Sequence, residues 1–187
     1  EEIAAQNAEL HGHVVMCGYG RVGQSIGRFL RSEQHEFVAL DYDPDRIQEA
    51  AKVDSCVHYG DARRGDLLRA VGLDRARLLV IAVDNTDVAM CVLKEARLIT
   101  IDVPVLVRTR DDSLLTELKA AGATEVVPEL LESSLMLASH ALILLGIPER
   151  SVRHRVDEVR HNRYHLLDGC LDNADARETP GFTREGE

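Results

Sequence analysis

The strongest chemical signal lies near the amino end, where Gly18-Tyr19-Gly20-Arg21-Val22-Gly23 reads G-x-G-x-x-G. The motif follows the β-branched apolar run His13–Cys17. It opens a stretch with apolar residues at Val22, Ile26, Phe29 and Leu30, which is helical spacing. A strand–turn–helix context gives such glycines their meaning. Gly18 permits the tight turn, Gly20 lets the backbone approach a pyrophosphate, and Gly23 lets the helix pack closely on the strand. The helix amino terminus offers free N–H groups and a partial positive charge to phosphate. Asp41 stands 23 residues after Gly18, at the end of the next strand. A carboxylate there accepts hydrogen bonds from a ribose diol and repels a 2′-phosphate. The ligand class is therefore NAD(H) or an adenosine nucleotide, rather than NADP. The plainer alternative is a structural glycine turn with Asp41 as a helix-entry cap.

Other residues fall on the same expected edge. Gly60-Asp61-Ala62 follows the third strand and borders an adenine pocket in this topology, with Asp61 accepting from an adenine amino group or from a backbone N–H. Ala82, Val83, Asp84 and Asn85 end the fourth strand, although Asp84 reads almost equally well as the cap of the next helix. Tyr19, Val22 and Tyr42 complete the candidate cofactor-binding set. Arg21 sits in the glycine loop, and Arg108 and Arg110 flank Thr109 at the end of the fifth strand. Three arginines converging on one edge of an acidic protein would mark an anion or effector site, because the planar guanidinium fork suits phosphate and carboxylate. The alternative is a surface ion pair, for example Arg110 with Asp111 or Asp112.

Metal and catalytic chemistry have little to stand on. There are eight histidines, and His161 and His165 lie four apart, but no third ligand has a fixed spacing to them. His140 reads as a hydrogen-bonded interface residue. No GxSxG, HExxH or Walker A motif is present, and no catalytic residue is assigned.

These residues need a particular scaffold to meet. Strands are expected at His13–Cys17, Phe37–Leu40, Cys56–Tyr59, Leu78–Val83, Val103–Val107 and Glu125–Val127. Between them fall helices over Arg21–Ser32, Pro44–Val53 with Asp43 as cap, Asp66–Val71, Asp87–Leu98, and from an Asp111 or Asp112 cap to Ala121. The alternation predicts an α/β doubly wound parallel sheet, a Rossmann-like domain over residues 12–128. The run Leu78–Val83 (LLVIAV) is apolar throughout, as a central strand covered on both faces must be. Residues 1–11 are a polar, weakly helical lead-in. Residues 129–147 form a helix apolar on nearly every face. One sheet cannot cover such a helix all round, so a second chain is expected to cover it. A charged amphipathic helix follows to residue 167, and 168–187 is a polar tail with six acids and two arginines.

The composition narrows the class. The chain has 187 residues and a net charge of −10, which argues against a nucleic-acid partner. No apolar run approaches the roughly 20 residues of a membrane span. The chain begins Glu1-Glu2, which reads as a piece of something longer. Cys17, Cys56, Cys91 and Cys170 form no CxxC pair. Three sit in apolar stretches and read as small buried hydrophobes in a reducing compartment. A redox-sensor role is the alternative for Cys17.

The segments VVMCGYGRVGQSIGRFL, VALDYDPDRI, HYGDARRGDLLRAVGL, LLVIAVDN and VLVRTRDD together resemble the RCK (KTN, TrkA-N) domain of potassium channels and transporters. PELLESSLMLASHALILLGIP resembles the segment that follows this domain in Kef-type cation:proton antiporters. The resemblance implies a membrane antiporter domain upstream in the same polypeptide, at the bacterial inner membrane, with this part on its cytoplasmic face. It implies a homodimer through the helix 129–147, with residues 1–11 as the linker. It implies NAD(H) or AMP held by Gly18, Gly20, Arg21, Gly23, Asp41, Asp61 and Ala62. A glutathione-type effector near the dimer interface would use arginines resembling Arg21 and one of the RTRD stretch.

The expected role is regulatory: nucleotide occupancy changes the angle between subunits and so controls a potassium-efflux or K⁺/H⁺ exchanger, without catalysis. A separately encoded Trk-type regulator of potassium uptake and a small NAD-dependent oxidoreductase are the alternatives. The oxidoreductase would need a second region to hold substrate against the nicotinamide, and about 60 residues leave little to build one.

Overall fold

The computed structural model describes residues 2–51 and 56–162. The polar tail 168–187, the last part of the charged helix, His165 and Cys170 lie outside the described residues, as does the end of the helix expected to reach Val53.

Six parallel strands form one sheet in the order β3-β2-β1-β4-β5-β6. They are β1 (Val14–Cys17), β2 (Phe37–Asp41), β3 (Val57–Tyr59), β4 (Leu78–Ile81), β5 (Val105–Thr109) and β6 (Glu125–Pro128). Helices cross between them: α2 (Arg21–Ser32), α3 (Pro44–Ala51), α4 (Gly65–Ala70), α5 (Thr86–Ile99) and α6 (Leu115–Ala120), with α1 (Glu2–Gln6) before β1. The doubly wound architecture is thus present. Side-chain alternation explains why its central strands are apolar without interruption. Val15, Cys17, Leu79 and Ile81 face one way and pack with Leu68 of α4, Leu93 of α5 and Leu118 of α6. Val14, Met16 and Val80 face the other way and pack with Val22 and Ile26 of α2 and Ile47 of α3.

Several element ends move for identifiable reasons. Pairing of β5 begins at Val105 because Pro104 has no N–H to donate, and it runs on through Arg108 to Thr109. The cap of α5 is Asn85, whose side chain accepts from the Val88 N–H at 3.0 Å, so Asp84 is not the cap. Asp43 does cap the start of α3, accepting from the Asp45 N–H at 3.0 Å. Asp111 instead closes a turn on the Ser113 N–H and hydroxyl, and α6 starts only at Leu115 without a side-chain cap.

The cysteines do not all behave as small core residues. Cys17 is fully buried in β1, and burial pushes its thiol up to about 12, which removes the thiolate a redox sensor needs. Cys56 is half-buried and Cys91 is exposed on α5, because the apolar residues around it turn the other face of the helix inward.

The lead-in is pinned to the domain. Asn7 is buried and its amide donates to the Ile3 carbonyl and to His58 Nε2 at 3.1 Å. Arg75 donates to the carbonyl oxygens of Asn7 and Leu10. His58 therefore accepts through Nε2 and is neutral. His13, buried before β1, donates from Nε2 to the Val71 carbonyl at 2.8 Å, and its Nδ1 is buried without a partner. Burial lowers the pKa of both histidines below the ordinary 6.5. A histidine whose folded pKa is depressed contributes stability above its unfolded pKa and loses it as the pH falls. Stability is therefore expected to decline as pH drops below about 6.5. His13→Gln, which keeps the donor to Val71 and cannot titrate, is expected to flatten that decline in urea unfolding followed between neutral and mildly acidic pH.

The described residues divide into two compact units between Leu130 and Leu131. In the second, α7 (Glu129–Leu144) continues and α8 (Glu149–His161) follows it. Arg160 in the last turn of α8 donates to the Glu132 carboxylate at 2.7 Å, which ties that turn back to the start of α7. Leu135 and Val152 are buried, whereas Met136, Leu137, Leu144 and Leu145 are exposed, Leu144 to 87%.

Candidate functional site

The strand order reverses between β1 and β4, and a cavity of about 390 Å³ opens at the carboxyl ends of the strands there. This switch point is where open α/β sheets bind ligands. Gly18 has φ +95° and packs against the Ala82–Val83 backbone, so the ends of β1 and β4 close on each other. A Cβ at Gly23 would collide with the Gly18 carbonyl oxygen, which fixes the seating of α2 under the turn. A Cβ at Gly20 would meet only the end of Arg46, so this position faces open space.

Asp41 is the buried centre of the site, 3% exposed. Its Oδ2 accepts from the Tyr19 N–H at 2.6 Å, and its Oδ1 accepts from the Asp43 N–H at 2.9 Å. Arg46 Nη1 stands 3.5 Å from the same Oδ2. The carboxylate thus first serves to hold the glycine loop against the end of β2, whatever else it binds.

The structure brings together most of the residues singled out by sequence. Gly18 and Gly20 of the loop and Arg21 and Val22 at the start of α2 line the cavity, with Asp41 at the end of β2 and the exposed Tyr42 just after it. Asp61 and Ala62 line it after β3, Ala82 and Asp84 after β4, and Arg108 from β5. Tyr19 and Gly23 do not line it. The Tyr19 ring lies in the core, stacked on Phe37 with centroids 5.9 Å apart, and it contributes its backbone N–H instead. Asp61 is gripped by the Arg63 fork at 2.6–3.0 Å and also accepts from the Arg63 N–H, and these contacts hold its carboxyl below the usual range.

The three arginines do not converge. Arg21 is exposed at the cavity, and its side chain has no ion pair among the described residues. Arg108 is committed: its Nε and Nη2 hold both oxygens of Glu129 at 2.6 and 3.0 Å, and its Nη1 donates to the Ala82 carbonyl at 3.0 Å. Arg110 is exposed and lies off the cavity, in the bend one residue past the end of β5. The cation that sequence reading missed is Arg46, in the first turn of α3. The available signal was Pro44 starting a helix directly after Asp41, which turns residue 46 back toward the strand end. A second hollow, about 670 Å³, lies at the amino ends of β2 and β3 and has neither the glycine loop nor Asp41. Among the described residues no group of three His, Cys, Asp or Glu side chains is placed to hold a metal ion.

Known proteins share this fold. Residues 14–129 match the TrkA-N domain family. A K⁺ efflux antiporter of KefB type from Alkalimonas amylolytica is 48% identical over 162 residues, covering 85% of this chain and 24% of that protein. The glutathione-regulated potassium-efflux system protein KefC of Cronobacter sakazakii is 34% identical over 155 residues, covering 83% of this chain and 25% of that protein. The chain thus spans about a quarter of the length of these relatives. The structure of the Shewanella denitrificans Kef CTD in its AMP-bound form superimposes with a TM-score of 0.71 at 32% identity, covering 83% of this chain and 94% of that one. The TrkA-N domain of Escherichia coli inner membrane protein YbaL shares the fold, with a TM-score of 0.66 at 22% identity. With its 3-2-1-4-5-6 sheet, its glycine loop and the match over residues 14–129, the chain belongs to the TrkA-N domain family.

Proposed function

We propose that this chain is the nucleotide-binding regulatory part of a Kef-type potassium-efflux (K⁺:H⁺) antiporter, and that its switch-point cavity takes AMP or NAD(H). The observation that carries this reading is the cavity itself: a bare Gly20 at the start of α2, Arg21 free beside it, and the buried Asp41 carboxylate at the ribose end. The AMP in the related Kef CTD supports the same ligand class here. In this reading the nucleotide is a signal and not a reactant. It acts only if the two states of the assembly bind it with different affinity, because equal affinity shifts nothing.

The remaining assignments follow from the same reading. Residues 1–11 link to a membrane domain in the same polypeptide, 12–128 hold the nucleotide, and 129–167 dimerise and extend. The assembly then sits on the cytoplasmic face of a bacterial inner membrane. Among the described residues no helix is long and apolar enough to cross one. A glutathione-type effector is proposed from the kinship with KefC, with Arg21 as its available cation.

Thermal unfolding of the purified chain with AMP and with NADH tests the core of the proposal. A rise in midpoint with either is expected, and no response to any adenine nucleotide would overturn it. The dimer is supported by the exposed apolar side of α7. Burying Met136, Leu137 and Leu144 in a partner is worth about 1.5–3 kcal/mol each before association costs. Leu137→Asp is expected to convert the dimer to a monomer in light scattering after size exclusion, with AMP binding retained.

A further inference from the structure

The lead-in is held to the domain by a hydrogen bond whose direction is fixed. Asn7 is buried, and its Nδ2 donates to the Ile3 carbonyl at 2.7 Å. That contact orients the amide, so the second N–H of the same nitrogen meets His58 Nε2, 3.1 Å away on β3. An amide NH₂ only donates, so Nε2 must accept, and it accepts only while it carries no proton. A proton on Nε2 sets N–H against N–H. Turning the amide over does not repair this, because its oxygen would then face the Ile3 carbonyl, acceptor against acceptor. The attachment is completed by Ile3 and Leu10 packing on the core and by Arg75 donating to the carbonyl oxygens of Asn7 and Leu10.

Charged and titratable groups surround His58 from several elements. α1 brings Glu2, and α4, against which α1 packs, carries Asp66 and Arg69. Arg31 at the end of α2, His35 and Glu36 before β2, and Cys56 before β3 line the hollow that His58 also lines. Among these Glu2 favours the protonated ring, but burial outweighs it, so the docked ring titrates below the ordinary 6.5. We propose that His58 is a proton-sensitive latch on the lead-in: the neutral ring holds α1 against the domain, and a proton on Nε2 releases it. Release returns the ring to water, where its pKa is about 6.5. The docked form therefore binds fewer protons, and docking weakens as pH falls below about 6.5, by at most about tenfold per pH unit. Resting on the reading of residues 1–11 as the link to a membrane domain, the latch places proton concentration on the connection through which nucleotide occupancy acts.

The test is hydrogen exchange of the Asn7 and Leu10 amides in the purified chain, followed by NMR between neutral and mildly acidic pH. Each rate is divided by that of a free peptide of residues 1–11 at the same pH, and the Val80 amide in β4 reads opening of the whole domain. In wild type, protection of Asn7 and Leu10 is expected to fall several-fold, up to about tenfold per pH unit below about 6.5, while Val80 stays protected. His58→Gln, whose side-chain oxygen accepts from Asn7 and does not titrate, is expected to keep protection level. His13→Gln is expected to follow wild type. Asn7→Asp, which offers a carboxylate to the protonated ring, is expected to reverse the sign, with protection rising as pH falls toward about 5.5. Level protection in wild type overturns the latch, as does a fall in His58→Gln that matches wild type, or a fall that His13→Gln abolishes. If His58→Gln is unprotected at every pH, the sign in Asn7→Asp decides: reversal supports the latch and a wild-type fall overturns it. Stabilisation of the same samples by AMP reads the nucleotide proposal separately from all of these.

Discussion

Asp41→Ala is expected to abolish stabilisation by AMP or NADH and to lower the unfolding free energy of the free chain by on the order of 2–3 kcal/mol. The two effects have one origin. The substitution removes the acceptor for the Tyr19 N–H at 2.6 Å and for the Asp43 N–H at 2.9 Å. The Tyr19 N–H is buried, so its loss of a partner carries the full desolvation penalty. Once its tie to β2 is cut, the glycine loop no longer presents its N–H groups in a fixed direction. At a ligand concentration a hundred times the dissociation constant, a bound nucleotide adds about 2.7 kcal/mol, so its absence is easily seen in a melting curve. A wild-type response to nucleotide in Asp41→Ala would remove this acid from the site.

Gly20→Val and Gly23→Val, only three residues apart, are expected to fail in opposite ways. Gly20 has φ −70° and ψ −164°, extended backbone that any residue adopts. Around a Cβ there, the contacts are with the Arg46 side chain at 3.5 Å or more. Gly20→Val should fold with stability within about 1 kcal/mol of wild type. Its side chain, however, stands where phosphate must approach, so nucleotide binding should be lost. At Gly23 the added carbon meets the Gly18 carbonyl, which belongs to a turn held by the Gly18 N–H donating to Leu40 at 2.8 Å. Neither side can yield without opening the turn, so Gly23→Val should cost about 1–3 kcal/mol or more and populate unfolded chain. Denaturant midpoints and nucleotide titrations of the two variants, run together, check this. Equal behaviour of the pair would contradict the distinct roles assigned to the two glycines.

The fold was legible because its signals are local and repeat. Each strand is a short apolar run, and the double covering of β1 and β4 is written in HVVMC and LLVIAV. Glycine spacing and Asp41 marked the edge of the sheet where the cavity opens, because both lie at the carboxyl ends of adjacent strands. What sequence could not supply was the direction of side chains within a loop. Tyr19 sits inside the motif yet turns to Phe37: alternation alone would send it to the Cys17 side of the sheet, but Gly18 at φ +95° breaks the alternation and Tyr19 packs on the opposite face. Arg108 looked like an anion ligand until its partner Glu129, 21 residues later, came into view. Arg46 was hidden in a helix start that reads as ordinary surface. The pairings of Tyr19 with Phe37 and of Arg108 with Glu129 are long-range, and periodicity carries no information about them.

The Arg108 guanidinium has a thermodynamic consequence of its own. It is clasped simultaneously by the last peptide of one strand's end, at Ala82, and by the opening residue of α7, at Glu129. An anion arriving at that rim must compete with Glu129 for the same fork. Whatever free energy the newcomer gains there is paid in loosening the first turn of the following helix, and by reciprocity any partner that tightens that turn weakens the newcomer by an equal factor. One side chain thereby makes occupancy of the rim and anchoring of the helix two readings of a single equilibrium.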